Sequence, residues 1–358
     1  MRKSVLVVNA IVLAGMVCIP AGLYNMYTII MERKASTVDM RSEHMSYAGG
    51  RARARDMFKE FNETEMQFRA FTGWQRRGYK GKFVNVDENT RLRMSTNQEY
   101  NNSVWFVGGS TIWGTGSADG YTIPSIYAKI TEKKVLNLGE SDWNSRQSVN
   151  RVLNLLAEGK RPERIVLYEG VNDVAHGCRG EGNMLQTHSR EVVFRERVEQ
   201  PFNTLIKERS AGVMEWSVRP WLKLLSKLGY RPDSEFSYTC STDRSHARKV
   251  AEFMLTNWKA TRAVGRAFGA EVKGVLQPVW FTATQERVGI AREDVMREEY
   301  LAVYREMKGL MQEECKDEKA CWLVDGSMWL AGRKDTFIDY CHLSEEGNSV
   351  IAGRLSKL

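Results

Sequence analysis

The chain has 358 residues, enough for one large α/β domain with extensions or for two domains. Hydrophobic residues make up 42% of it and charged residues 27%, which excludes a wholly disordered protein. The net charge is +8, but no zinc-finger spacing or RNA-binding motif accompanies the scattered basic residues. Nucleic acid is therefore not expected as a partner, whereas an acidic glycan or an anionic membrane surface would suit the charge equally well.

The N-terminal segment Val5–Ile30 contains no charged residue and follows the basic pair Arg2 and Lys3. Its length suits a helix that crosses a bilayer, which requires about 20 apolar residues. A cleaved signal peptide is the alternative, but no small-x-small cleavage site is evident. We therefore predict a single-pass membrane anchor over residues 1–34, with the lipid bilayer as its partner. The main domain is then expected outside the cytoplasm, in the periplasm or another extracytoplasmic space.

Residues 35–100 are predicted to form a stalk and an N-terminal extension of the main domain. The polar stretch Glu32–Gly50 ends in two glycines, as a membrane-proximal stalk would. Apolar residues within Ala52–Phe71 favour a helix that packs on the main domain. Within Lys82–Asn97, two short β-prone runs flank Asp87–Asn89, which predicts a two-stranded hairpin with its turn at these three residues.

From residue 101 to residue 358, strand-like and helix-like segments alternate. The predicted strands are Val104–Val107, Val135–Leu138, Arg164–Tyr168, Val272–Gln277 and Trp322–Val324. The predicted helices are Ile123–Ile130, Ser148–Glu158, Ser245–Phe268, Arg292–Glu313 and Ser344–Leu355. This alternation predicts an α/β domain in which helices cover both faces of a parallel sheet. Residues 178–245 fall outside the alternation and are predicted to be an insertion.

Candidate catalytic groups follow three of the predicted strands and precede the last helix: Ser110, Gly139, Asn172, Asp339 and His342. Open parallel sheets hold their ligand sites at the carboxyl ends of the strands. A serine hydroxyl becomes a nucleophile when a nearby base accepts its proton, and histidine is the side chain best suited to that exchange near neutral pH. We therefore expect Ser110 to act as nucleophile and His342 as base, with Asp339 orienting the imidazole from three residues away.

Each of these residues also has an ordinary structural explanation. A serine after two glycines is common in turns, as is Asn172, and His342 would suit the start of the last helix. His176 is the second candidate base, and Asp335 is the second candidate acid. No His, Cys, Asp and Glu set has metal-ligand spacing, and no dinucleotide or phosphate-binding motif occurs, so neither a metal nor a cofactor is expected.

Four sequence blocks, in this order, resemble the SGNH hydrolases, also called the GDSL-type esterase and lipase superfamily. The blocks are Gly108-Gly109-Ser110-Thr111, Asn137-Leu138-Gly139, Gly170-Val171-Asn172-Asp173 and Asp339-Tyr340-Cys341-His342. The resemblance covers about residues 103–358 and implies a three-layer α/β/α flavodoxin-like fold. It also implies a catalytic triad of Ser110, His342 and Asp339, with an oxyanion hole formed by the Ser110 amide, the Gly139 amide and the Asn172 side chain.

The first block departs from the family, because the usual Gly-Asp-Ser is Gly-Gly-Ser here, with Gly109 in place of the aspartate. That aspartate is not one of the catalytic groups, so the departure bears on substrate positioning. The segments Lys82–Asn97 and Asn137–Gln147 also look like membrane-anchored relatives encoded among bacterial surface-polysaccharide genes.

The resemblance implies a membrane-anchored serine esterase that hydrolyses ester bonds, with O-acetyl esters on an envelope or exported polysaccharide as the expected substrates. An O-acyltransferase is one alternative, since a sugar hydroxyl could replace water as the acceptor of the same acyl group. A non-catalytic carbohydrate-binding or assembly protein on the same fold is another.

The sequence contains six cysteines, of which Cys18 lies in the predicted membrane span. If the domain occupies an oxidising compartment, the expected disulfides are Cys178–Cys240 and Cys315–Cys321. Cys341 would then remain free beside His342. The alternative is that all six cysteines are reduced and buried.

Overall fold

The computed structural model describes residues 39–43, 47, 49–179, 238–286, 289, 293–315 and 321–358, together with Leu23, Met26 and Tyr27. It divides into two compact units, Met1–Val38 with Arg190–Glu235, and Asp39–Ser189 with Phe236–Leu358. The first unit is described only at its three isolated positions, which are helical and exposed. Apart from those three positions, the predicted membrane span with Cys18 lies outside the described residues, as does most of the predicted insertion. None of the described helices combines the length and the apolar composition that crossing a bilayer requires.

The second unit begins with a 3-10 turn, Met40–Glu43, a helix and two antiparallel hairpins. The helix is α1 (Gly50–Glu63), and the hairpins are β1 (Met66–Arg69) with β2 (Gly73–Arg76) and β3 (Tyr79–Lys80) with β4 (Asn85–Val86).

The structure corrects one prediction for this region and shows the other in reduced form. A helix is predicted over residues 52–71, but the observed helix ends at Glu63. Residues Met66–Arg69 of the predicted helix form β1 instead, which pairs with β2. The predicted hairpin is present as a single antiparallel bridge, Val86 to Arg93, flanked by hydrogen bonds from the Asp87 N–H to the Leu92 carbonyl and from the Met94 N–H to the Asn85 carbonyl. A separate turn precedes it, where the Glu60 carboxylate accepts hydrogen bonds from the N–H groups of residues 82, 83 and 84.

A five-stranded parallel sheet forms the centre of this unit, as the alternating sequence pattern predicts. Its strands are β5 (Val104–Gly108), β6 (Val135–Asn137), β7 (Arg164–Glu169), β8 (Glu271–Leu276) and β9 (Leu323–Asp325). Their spatial order is β6-β5-β7-β8-β9, which is the flavodoxin-like order. Every residue of β5 is buried, as expected for a strand covered on both faces.

Helices flank the sheet and correspond to the helix-like segments of the alternating sequence pattern. They are α2 (Ser110–Trp113), α3 (Ile123–Thr131), α4 (Ser145–Ala157), α5 (Val171–Gly177), α6 (Arg244–Ala267), α7 (Trp280–Ala283), α8 (Glu293–Glu314) and α9 (Glu345–Leu355). The longer ones pack in two groups, α3 with α9, and α6 with α4 and α8. The side chains of the residues just before three of these helices cap their first turns. These N-cap residues are Thr122 for α3, Asn144 for α4 and Ser344 for α9.

The N-terminal extension shares a small hydrophobic core with the main domain. This core, which we call the extension core, consists of Tyr47, Ala54, Met57, Phe58, Val84, Val86, Trp113, Ala118 and Ile338. Trp113 belongs to α2, and Ile338 immediately precedes Asp339, so the extension packs against both segments that carry candidate catalytic residues. Two guanidinium groups also lie over the Trp113 ring, with the Cζ atoms of Arg76 and Arg93 3.9 Å and 4.3 Å from its centroid. The compact unit that contains the sheet spans Asp39–Ser189 and Phe236–Leu358.

Both expected disulfides are present in the structure. Cys178–Cys240 joins the two described ends of the predicted insertion, where Arg179 and Tyr238 also form a β-bridge. Cys315–Cys321 closes a short loop between α8 and β9. Cys341 is free and buried.

Two buried carboxyl groups lie at the carboxyl end of β7. Burial is the main cause that raises the pKa of Glu169, and the negative charge of nearby Asp173 adds to it, so that the pKa is about 8. Burial also raises the pKa of Asp173, whose carboxylate accepts hydrogen bonds from the Ser145 amide and hydroxyl. Glu169 accepts hydrogen bonds from Ser148 and from the Trp258 indole N–H. The folded state therefore favours the neutral form of Glu169.

We predict that Glu169→Gln stabilises the protein against unfolding at pH 8 relative to wild type, but not at pH 4.5. A raised pKa contributes stability that is present below the unfolded value of 4.5 and is lost as pH rises through about 8. Each unit of raised pKa corresponds to about 1.4 kcal/mol, so the difference should reach the order of a few kcal/mol. Thermal unfolding from pH 4.5 to 9 measures it, with the exposed Glu163→Gln at the other end of β7 as control. Parallel Tm profiles for wild type and Glu169→Gln would contradict the prediction.

Candidate active site

The candidate nucleophile lies at the turn between β5 and α2. The strand ends at Gly108, Gly109 takes the N-cap position, and Ser110 is the first residue of α2. The order of the sheet reverses between β5 and β7, and ligands of open α/β sheets bind in the crevice outside such a switch point. Asn172 follows β7 at the second residue of α5, so both predicted site residues lie at this crevice.

The structure brings Ser110, His342 and Asp339 together in one hydrogen-bonded chain. His342 Nε2 lies 2.7 Å from Ser110 Oγ, and His342 Nδ1 lies 2.6 Å from Asp339 Oδ2. Asp339 and His342 lie in the irregular segment before α9, on the same side of the loop, as their three-residue spacing predicts. Their side chains are 18% and 14% exposed, so the chain of hydrogen bonds is shielded but reachable from solvent.

Asp339 is held as a carboxylate by its own loop. Its Oδ1 accepts the N–H groups of Cys341 at 2.9 Å and His342 at 2.7 Å. Burial alone would raise the pKa of Asp339, but the His342 charge and these hydrogen bonds outweigh it and hold the pKa well below its usual range. A carboxylate fixed in this way orients the imidazole so that the Nδ1 proton faces Asp339 and the Nε2 lone pair faces Ser110.

This arrangement is chemically competent for nucleophilic catalysis. His342 can accept the Ser110 proton as Oγ attacks a carbonyl carbon, and can return it to the leaving alcohol. Asp339 would stabilise the imidazolium formed in between without itself becoming protonated.

Two of the three predicted oxyanion donors are placed at the crevice. The Ser110 N–H lies in the first turn of α2, where backbone N–H groups have no acceptor within the helix. One amide hydrogen of Asn172 Nδ2 is donated to the Trp143 carbonyl at 2.7 Å, which fixes the side chain and leaves its second hydrogen for a ligand.

Gly139, the third predicted donor, has a partner within the protein. Its N–H already donates to Asn137 Oδ1 at 3.0 Å, so the structure does not place it as a donor to an oxyanion. A Cβ at residue 139 would lie 2.4 Å from the backbone nitrogen of Trp113. The glycine is therefore explained by close packing against α2 and not by access for an acyl group. Asn137 strengthens this packing, because its Nδ2 donates to the Ile112 carbonyl.

Gly109 has a different role, because Asn172 lies directly against it. A Cβ at residue 109 would come within 2.6 Å of Asn172 Nδ2. A methyl group at residue 109 would therefore press against the Asn172 amide in its observed position.

We therefore predict that Gly109→Ala lowers kcat by about 10²-fold, the effect of losing one oxyanion donor, with little change in Tm. Ester hydrolysis and thermal unfolding measure the two effects. Gly353→Ala is the matched control, because the space around a Cβ at this α9 position is open to at least 4 Å. Wild-type kcat in Gly109→Ala would show that Asn172 does not act from its observed position.

The second candidates for base and acid lie elsewhere. His176 Nε2 pairs with Asp142 Oδ1 at 2.7 Å, not with Ser110. Asp335 lies exposed in a 3-10 turn and is not the partner of His342. No sequence pattern indicates Asp142 as the partner of His176. The Asp142 backbone adopts a left-handed conformation with φ of 67°.

Within the described part of the chain, two groups have metal-ligand geometry. One is the Cys178–Cys240 disulfide with Glu299, and the other is Asp339, Cys341 and His342. The cysteines of the first group are oxidised, and the Asp339 and His342 atoms of the second are hydrogen bonded to each other. The expectation that no metal takes part stays a prediction.

An α/β fold of flavodoxin-like order with a Ser-His-Asp constellation at its switch point is thus the class of protein that the structure defines. No protein-family model matches the sequence, and no curated protein matches it either. The fold is similar to solved structures at low identity. A protein of the G-D-S-L lipolytic family from Desulfitobacterium hafniense DCB-2 is 13% identical, with a TM-score of 0.39 over 72% of this chain and 99% of that one.

Two further structures give comparable values. A member of the lipolytic protein G-D-S-L family from Veillonella parvula DSM 2008 is 13% identical, with a TM-score of 0.41 over 71% of this chain and 96% of that one. A GDSL-like lipase from Bacteroides thetaiotaomicron VPI-5482 is 11% identical, with a TM-score of 0.37 over 73% and 86%. At these values the similarity assigns neither a family nor a function to this chain.

Proposed function

We propose that this protein is a serine esterase of the SGNH kind, which hydrolyses ester bonds through an acyl-enzyme on Ser110. The observation that carries the proposal is the continuous chain of two short hydrogen bonds from Ser110 through His342 to Asp339, 2.7 Å and 2.6 Å long. The Ser110 amide and the Asn172 side chain supply the oxyanion donors. Water then hydrolyses the acyl-enzyme, with His342 as general base.

We further propose that the protein acts outside the cytoplasm on O-acetyl esters of an envelope or exported polysaccharide, held to the membrane by residues 1–34. The uncharged segment Val5–Ile30 supports the anchor, and two disulfides support an oxidising compartment. The polysaccharide substrate is supported only by the resemblance of the sequence to membrane-anchored relatives.

The test of the esterase proposal is release of p-nitrophenol from p-nitrophenyl acetate by wild type, and its loss in Ser110→Ala. Release of acetate from an O-acetylated polysaccharide then tests the substrate class. Turnover that survives Ser110→Ala would overturn the mechanism.

An O-acyltransferase remains the second candidate, because its first half-reaction uses the same groups. The side chains of His342 and Asp339 are 14% and 18% exposed, which supports access of an acceptor hydroxyl from solvent. Acetyl transfer to an added glycan, measured against free acetate, separates the two. A non-catalytic carbohydrate-binding protein would bind the glycan without turning over either ester.

A further inference from the structure

Arg41 reaches the candidate active site from the N-terminal segment of the second unit. Its Nη1 lies 3.8 Å from Asp339 Oδ2, the oxygen that also accepts His342 Nδ1. It comes from the 3-10 turn Met40–Glu43, which lies within the predicted stalk, and not from any block of the sequence resemblance. Nothing in the sequence pattern indicates this contact.

The Arg41 side chain is held in place on two sides. Its Nε and Nη2 form a bidentate pair with the Asp39 carboxylate, at 3.0 Å and 2.7 Å, which leaves Nη1 facing Asp339. The guanidinium also lies over the rings of Phe58 and Phe61, 4.9 Å and 5.5 Å from their centroids. A planar guanidinium fixed by a fork and by aromatic faces can hold a carboxylate in a way that a mobile ammonium cannot.

We propose that Arg41 is a positioning residue of the triad, which fixes the Asp339 carboxylate and moderates its attraction for the protonated His342 ring. This inference rests on the esterase proposal for its kinetic part. It makes a part of the predicted stalk a component of the active site.

The electrostatic consequence follows from the groups that surround Asp339. They are Arg41 from the 3-10 turn, His342, Cys341 and Tyr340 from its own loop, and the buried Tyr47 hydroxyl from the extension core. Arg41 is the one permanent cation among these five, and it is shared with the Asp39 carboxylate. Removing it leaves the Asp39 and Asp339 carboxylates without their shared cation and makes the potential at the triad more negative.

A purely structural role would have a different signature. Loss of packing in the 3-10 turn would lower Tm and the amount of active enzyme, but would leave the pH dependence of the remaining enzyme unchanged. The pH profile therefore separates positioning of the triad from support of the fold.

The test compares Arg41→Gln, Arg41→Lys and Arg55→Gln with wild type in the full-length protein, using p-nitrophenyl acetate. Arg41→Gln should lower kcat by about tenfold with KM nearly unchanged, and should move the acidic limb of the kcat/KM profile upward by about 0.5 to 1 pH unit. Arg41→Lys keeps the charge but not the fork, so kcat should be intermediate and the acidic limb unmoved.

Arg55→Gln is the matched control, because Arg55 forms a bidentate pair with Glu43 of the same 3-10 turn and lies away from the triad. It should match wild type in kcat and in pH profile. If Arg41→Gln behaves like Arg55→Gln, the positioning role is overturned.

A second measurement does not depend on activity. The downfield Nδ1–H resonance of His342, in protein labelled with 15N-histidine, reports the hydrogen bond to Asp339. Arg41→Gln should displace it, while Arg55→Gln should not. An unmoved resonance would overturn the inference even if no ester were hydrolysed, whereas a displaced resonance with Ser110-independent turnover would overturn only the esterase proposal.

Discussion

Ser110→Ala and His342→Ala are each expected to lower kcat for ester hydrolysis by about 10⁴- to 10⁶-fold, and the double variant should be no worse than either. The reason is that the hydroxyl and the imidazole act as one unit, separated by 2.7 Å. Without His342 the hydroxyl keeps its proton, and without Ser110 there is no atom to acylate. Steady-state kinetics on p-nitrophenyl acetate measure all three variants, with circular dichroism to confirm that each is folded.

His176→Gln is the sharpest control for this experiment. His176 was the second candidate base by sequence, but the structure pairs it with Asp142. The variant should retain kcat within about tenfold of wild type, because His176 can affect the rate only by holding the segment that contains Asp142, and not by transferring a proton. A loss in His176→Gln equal to that in His342→Ala would show that the base has been misassigned, and additive losses in the double variant would contradict a shared proton.

Asp339→Asn should lower kcat by about 10⁴-fold while leaving the fold intact. The asparagine oxygen can still accept the N–H groups of Cys341 and His342, so the loop should keep its shape. Its amide nitrogen, however, would face His342 Nδ1 and favour the tautomer whose proton is on Nε2. His342 Nε2 could then donate a hydrogen bond to Ser110 but could not accept the Ser110 proton.

Asp335→Asn is the matched control for the acid. Asp335 lies four residues earlier, is exposed, and was the second candidate by sequence. Its replacement should leave kcat and the pH profile at wild-type values. Near wild-type activity in Asp339→Asn would mean that the 2.6 Å contact with His342 contributes nothing to the rate.

The sequence predicted the central sheet and its helices well, for reasons that are local. Buried parallel strands such as Val104–Gly108 are continuous runs of β-branched and aromatic residues, and amphipathic helices such as Arg244–Ala267 repeat at helical spacing. The positions of Ser110 and Asn172 follow in turn, since parallel strands present their carboxyl ends at one edge. To predict that Asp339 and His342 lie beside Ser110, the family resemblance was needed in addition to the strand pattern.

Other features could not be read from the sequence, because they depend on distant partners. The Gly139 amide is taken by the Asn137 side chain, and glycine is required there by the backbone of α2. Helix α1 ends at Glu63, because the residues that follow it pair with β2. The contact between Arg41 and Asp339 joins opposite ends of the chain, and no local pattern encodes it.

The most direct test of the central claim is covalent trapping of the nucleophile with a fluorophosphonate, followed by peptide mass spectrometry. An activated Ser110 should displace fluoride and retain the phosphonyl group on its own peptide, at one site per chain, and His342→Ala should remain unlabelled. Labelling of a different residue, or a reaction with Ser110 that proceeds equally well without His342, would contradict the mechanism on which the esterase proposal depends.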